Sequence, residues 1–115
     1  MTPRAFAISD LRQIHADMWI LRSPVDAQPA LTFRVLPGAA KTVGRAVRSD
    51  FILDAAMVSR VHCRLVVSQA GELEVEDLDS TNGTFVNDQR IQRALLNTGD
   101  RLRIGRVELA VMRDS

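Results

Sequence analysis

The chain is 115 residues long, 46% hydrophobic and 25% charged, with a formal net charge of +1. That length supports one domain with a core of its own, and the near-neutral charge excludes the strongly basic surface of a nucleic-acid binder. Lys41 is the lone lysine among fifteen basic residues, and arginine is the better bidentate ligand for a phosphate.

In chain order, residues 1–17 place Ile8, Leu11 and Ile14 at helical spacing behind Ser9, a residue type that caps helices. A helix so short is marginal unless it packs on something, so this stretch reads as an extension, partly disordered or carrying a short helix. It lacks a basic segment followed by an apolar one, as a signal peptide has, and no run in the chain approaches the roughly 20 apolar residues of a membrane helix. From Met18 onward strands dominate. Met18 to Arg22 is a short apolar run closed by Ser23 and Pro24. In Ala30 to Leu36 the residues Leu31, Phe33 and Val35 share a face at period two, and Pro37-Gly38 ends the run. Lys41 to Arg45 and Phe51 to Leu53 follow as a third and fourth strand.

His62 to Ser68 puts Cys63, Leu65 and Val67 on one side, Gln69-Ala70-Gly71 reads as a hairpin connection, and Glu72 to Leu78 answers with Leu73 and Val75 inward and three glutamates outward. The lone cysteine, Cys63, excludes an internal disulfide and a Cys-x-x-Cys metal site, and it agrees with a reducing, intracellular setting: the cytoplasm, or the nucleus in a eukaryote. Asp77 to Asn87 packs the end of one strand, a loop and the start of the next into eleven residues. Short strands follow near Arg90 to Ile91 and Ala94 to Leu96, then at Leu102 and Ile104, and last at Val107, Leu109 and Val111. About ten short strands at close spacing predict an all-β, two-sheet sandwich.

Three stretches between strands carry chemistry: Gly44-Arg45, Ser59-Arg60-Val61-His62 and Ser80-Thr81-Asn82-Gly83. Loops of a sandwich gather at its ends, where the scaffold positions them for binding. Converging, these loops offer guanidinium forks, hydroxyls and an amide, with no carboxylate expected among the groups closest to a ligand. Such a set suits the acceptor oxygens of a phosphate. Each residue also has a plainer role: Arg45 and Arg60 as solvated arginines at strand ends, Ser59 as the cap of a turn, Thr81 and Asn82 as stabilisers of their own loop.

With Asp50 to Leu53, the run from Asp77 through Ser80, Asn82, Gly83 and Thr84 to Val86-Asn87, and Gly99-Asp100 and Gly105 in order behind them, the chain resembles a forkhead-associated domain over residues 18–113. The resemblance implies an eleven-stranded sandwich that binds phosphothreonine with loops at one end. Carried over by position, Arg45 and Ser59 fall on the main phosphate ligands and Arg60 on a second contact to the same phosphate. Thr81 falls beside the phosphothreonine, and Asn82 on the group that bonds the peptide backbone. Gly44, His62 and Gly83 support the site without touching the ligand. Met57 falls where a side chain faces the third residue after the phosphothreonine, unless it turns inward as core. Asp88 stands where glycine often follows Asn87, so that turn is expected to differ in detail.

The implied function is docking of a phosphothreonine-containing protein or peptide in Ser/Thr kinase signalling, without cofactor, metal, nucleic acid or membrane. A phosphate-independent interaction or oligomerisation domain is the alternative. Ser59, His62 and Asp77 or Asp79 supply the residue types of a hydrolytic triad, but Ser59 lacks a G-x-S-x-G elbow and the chain lacks α/β alternation, so an enzyme is not expected.

Overall fold

Alternating apolar and polar side chains make a half-buried strand wherever they recur. The computed structural model describes residues 18–28 and 30–114, and the extension expected over residues 1–17 lies outside them. Eleven strands form: β1 Met18–Arg22, β2 Thr32–Val35, β3 Ala40–Gly44, β4 Phe51–Ile52, β5 Cys63–Val67, β6 Leu73–Asp77, β7 Thr84–Val86, β8 Gln89–Ile91, β9 Arg93–Leu96, β10 Arg101–Ile104 and β11 Val107–Asp114. They build a six-stranded sheet in the order β2-β1-β11-β10-β7-β8 and a five-stranded sheet in the order β4-β3-β5-β6-β9. All neighbours run antiparallel except β3 and β4, which pair in parallel through Val43 with Phe51 and Gly44 with Ile52.

The core lies between the sheets. Leu21, Leu102, Ile104 and Leu109 enter it from the larger sheet and Val43, Leu65, Leu73 and Val75 from the smaller, all fully buried. Each such side chain stabilises the fold by about 1.5–3 kcal/mol. Phe33 of β2 and Phe51 of β4 stack across the sandwich with ring centroids 4.5 Å apart. At the base of β5, Trp19 donates its indole N–H to the Gly71 carbonyl at 2.9 Å. Cys63 is buried, and burial first, then the nearby Asp77 charge, pushes its thiol up to about 12, so it stays protonated.

Strand ends depart from the sequence expectation by a residue or two, for local reasons. β2 begins at Thr32, two residues after Ala30, because Leu31 is held by Ser23, whose hydroxyl accepts the Leu31 N–H at 2.7 Å. The chain changes sheet within one residue, Gln92, between β8 and β9. Gln92 is pinned there because its carbonyl accepts the Asp77 N–H at 2.8 Å and its side-chain amide donates back to the Asp77 carbonyl at 3.0 Å. The turn between β7 and β8 keeps a tight two-residue form without glycine: Asn87 and Asp88 both take positive φ, 49° and 71°.

Candidate functional site

Three loops meet at one end of the sandwich: β3–β4, β4–β5 and β6–β7. Backbone bonds join the first two, Arg45 N–H to the Ser59 carbonyl and Ala46 N–H to the Arg60 carbonyl, each at 3.0 Å. Gly44 makes this approach possible, since a Cβ there would lie 2.1 Å from the Arg60 carbonyl oxygen. Asp50 secures the far side of the β3–β4 loop by accepting the Thr42 N–H at 2.9 Å, a bond that holds its carboxyl below the ordinary value.

His62 ties the second loop to the third. It is fully buried, and its Nδ1 accepts the Ser59 N–H at 3.0 Å, which leaves the proton on Nε2 to donate to the Gly83 carbonyl at 2.9 Å. Gly83 sits at φ +94°, a conformation that side chains rarely adopt. The third loop is wound around Asp77, whose Oδ1 accepts the Ser80 hydroxyl at 2.5 Å and the Thr84 hydroxyl at 2.7 Å while Oδ2 accepts the Ser80 N–H at 3.2 Å. Burial alone raises the Asp77 carboxyl, but those three bonds, with His62 nearby, outweigh it and hold the group below its ordinary value.

The loops enclose an open concavity of about 430 Å³ lined by Arg45, Asp54, Ala55, Met57, Ser59, Thr81 and Asn82, among others. Arg45 donates Nε to the Val58 carbonyl at 3.1 Å, which aims the guanidinium while its terminal nitrogens meet no partner among the described residues. Ser59 Oγ accepts the Thr81 N–H at 3.0 Å, so its own proton is free to donate. Asn82 donates Nδ2 to the Met57 carbonyl at 3.1 Å, leaving Oδ1 as an acceptor for a guest N–H. A preformed site with unspent donors results.

Of the residues singled out from sequence, the structure brings Arg45, Met57, Ser59, Thr81 and Asn82 together around this concavity. Gly44, His62 and Gly83 lie beneath or behind it, as supports. Arg60 is exposed beside the concavity and does not line it; its carbonyl, in the seam with Ala46, is the part bonded to the protein. Met57 does not turn inward: it is 41% exposed, at φ 71°, with its carbonyl fixed by Asn82. Ser59, His62 and Asp77 do not assemble a relay, because both His62 nitrogens are engaged by backbone groups and the Asp77 oxygens by Ser80 and Thr84.

Asp54 was missed. It lines the concavity with its carboxylate unpartnered among the described residues, against the expectation that no acid would stand near the ligand. Only its position one residue past Leu53, where β4 gives way to the loop, hints at this in the sequence.

The FHA domain family profile matches residues 41–105, more than half of the chain. Over 79 residues, 69% of this chain, the sequence is 42% identical to an ABC transporter ATP-binding/permease protein of Mycobacterium tuberculosis, covering 9% of that protein. It is 41% identical over 71 residues, 62% of this chain, to the oxoglutarate dehydrogenase inhibitor of Corynebacterium efficiens, covering 49% of it. The chain thus spans about half the length of the inhibitor and a small part of the transporter. Among solved structures, the Mycobacterium tuberculosis protein EmbR in complex with a low-affinity phosphopeptide superposes with a TM-score of 0.75 at 25% identity, over 98% of this chain and 30% of that one.

Proposed function

The chain belongs to the FHA, or forkhead-associated, domain family, and on that premise we propose that its three-loop concavity is where a partner's phosphothreonine is read. An FHA domain is a phosphothreonine-dependent protein interaction module of Ser/Thr kinase signalling, a docking device in which recognition is the whole of the chemistry. The observation that carries the assignment to these residues is the set of donors already oriented and unspent: the Arg45 terminal nitrogens and the Ser59 hydroxyl proton.

A phosphothreonine brings about −1.5 to −2 of charge and three acceptor oxygens. In this reading Arg45 and Ser59 meet those oxygens, Arg60 adds positive charge from the rim, and Asn82 Oδ1 accepts a backbone N–H of the bound segment. Because the loops are joined to each other before the ligand arrives, little ordering is left to be done on binding. The partner is a phosphorylated protein, and the kinase that marks it is of the Ser/Thr class.

The experiment is calorimetric titration of the purified chain with phosphothreonine peptides and their unphosphorylated twins. Binding confined to the phosphorylated members, and lost in Ser59→Ala with an unchanged circular dichroism spectrum, is the expected result. A partner that binds fully after phosphatase treatment favours the phosphate-independent alternative.

A further inference from the structure

The chain has three asparagines, and of these only Asn82 stands directly before a glycine. That pairing is chemically fragile, because a glycine puts no side chain in the way when its backbone nitrogen attacks the carbonyl carbon of the preceding asparagine side chain. Two bonds in the β6–β7 loop oppose such an attack. The Gly83 N–H donates to Ser80 Oγ at 3.0 Å in a buried position, and Asn82 Nδ2 donates to the Met57 carbonyl at 3.1 Å. Ser80 Oγ is oriented to accept because its own proton goes to Asp77 Oδ1 at 2.5 Å, while Asp77 Oδ2 takes the Ser80 N–H at 3.2 Å. The phosphate contact does not use Ser80, which is 7% exposed and does not line the concavity.

We propose that Asn82 is a deamidation site whose modification turns the ligand loops off, and that Ser80, held by Asp77, guards it while the loop is closed. In the step, the Gly83 nitrogen gives up its proton and bonds to Asn82 Cγ, the Cγ–Nδ2 bond breaks, and Nδ2 leaves as ammonia. Water then opens the cyclic imide to aspartate or isoaspartate. Water is consumed, ammonia is released, and no oxidant or reductant is needed. The Gly83 N–H is given to Ser80 and the leaving amide to Met57, so both must be freed first and the reaction waits for local opening of the loop. The product carries a negative charge, has no donor for the Met57 carbonyl and, as isoaspartate, lengthens the loop backbone. Its carboxylate joins Asp54 in the lining of the concavity. The consequence for binding rests on the phosphothreonine reading: a phosphate meets a second like charge there and is repelled. Ser80 is thus a positioning residue that touches no ligand and keeps intact an amide at the site.

The test incubates the parent chain, Ser80→Ala and a free peptide with the sequence of residues 78–86 at mildly alkaline pH. Amide loss is read by mass spectrometry after digestion, with Asn87 and Asn97, which precede Asp88 and Thr98, as references that should stay intact. The parent should lose the Asn82 amide at least about fivefold more slowly than the peptide, the least that two intact hydrogen bonds imply. Ser80→Ala should lose it at least about twofold faster than the parent, the least that one such bond implies. Phosphothreonine-peptide binding by the aged chains should fall in proportion to the fraction converted, with freshly made Asn82→Asp as the standard for the converted state. A parent that reacts as fast as the peptide overturns the inference, as does a Ser80→Ala chain of unchanged circular dichroism that reacts as slowly as the parent. If Ser80→Ala does not fold, the comparison of parent with peptide decides alone. Converted chains that bind as the fresh parent does overturn the switch and leave the phosphate reading standing. If the fresh parent binds the phosphopeptide no better than its unphosphorylated twin, the phosphate reading falls and the switch with it, and the mass spectra still decide the guard.

Discussion

Arg45 offers the sharpest perturbation, because the structure separates what its side chain does for the fold from what it does for a ligand. Among the described residues it makes one side-chain bond, Nε to the Val58 carbonyl at 3.1 Å, and the residue lines the concavity. Arg45→Ala therefore removes one bond to a neutral carbonyl from the folded state, worth about 0.5–1.5 kcal/mol, which lowers the melting point by about 2–12 °C without unfolding the domain. Toward a phosphate the loss is larger. Bonds to a charged group contribute about 1.5–3 kcal/mol each, so one lost bond weakens binding about ten- to a hundredfold and two lost bonds weaken it further. Arg45→Lys keeps the charge but has no Nε to hold on Val58 and no fork, so it should bind between the two, with a steeper dependence on salt. Calorimetry with one phosphothreonine peptide, run beside thermal melts, reads both effects. Arg45→Ala binding within about twofold of the parent, a loss far below the contribution of one such bond, would refute the assignment of the phosphate to this concavity.

Four further outcomes are expected, the first two from the family resemblance and the last two from the geometry. Phosphothreonine should bind about fourfold tighter than phosphoserine in matched peptides, the worth of one buried methyl at about 0.8 kcal/mol, and equal affinities would mean that no hollow receives that methyl. Met57→Arg should shift library selection toward aspartate or glutamate at the third residue after the phosphothreonine, and an unchanged profile would remove Met57 from the contact set. Gly44→Ala drives a Cβ to 2.1 Å from the Arg60 carbonyl, so it should cost about 1–3 kcal/mol in urea unfolding and weaken phosphopeptide binding by parting the loops. Asp77 has a folded value below its ordinary 3.8, so its stabilising contribution is complete above that value and is lost as pH falls through the folded one. Asp77→Asn should therefore start less stable at neutral pH and lose less on acidification below that ordinary value, as read by urea midpoints, and parallel acid limbs would contradict the carboxylate's role.

Most strands were legible because their side chains alternate: Cys63, Leu65 and Val67 against Arg64 and Val66, or Leu73 and Val75 against Glu74 and Glu76. The residues assigned to the phosphate are picked out by the motif order, and Arg45, Ser59, Thr81 and Asn82 line one concavity. What stayed hidden depends on backbone groups, which leave no mark in a side-chain pattern. That the Met57 carbonyl takes the Asn82 amide, and that the Ser59 N–H takes His62 Nδ1, follows only once distant loops are brought together. Arg60 reads like Arg45 in sequence, yet its carbonyl is bonded into the seam with the β3–β4 loop, and the exposed residue does not line the concavity. Asp54 gives little signal beyond its place after β4, since an aspartate after a short strand is an ordinary turn residue. The crossing at Gln92 was equally invisible, because one polar residue between two strands does not say that they belong to different sheets.

The tie between Trp19 and Gly71 sits past the hairpin end of β5, whereas Ser59 and His62 precede the other end of that strand. Trp19 is 4% exposed, and the sequence holds no other tryptophan and no tyrosine. Intrinsic fluorescence of this protein therefore comes from a single emitter with no neighbouring donor, shielded from water and a strand's length away from the ligand loops. Its spectrum should shift to the red when the sandwich opens and stay still when a peptide arrives. One optical channel can follow unfolding in the presence of saturating ligand, with no correction for the bound state.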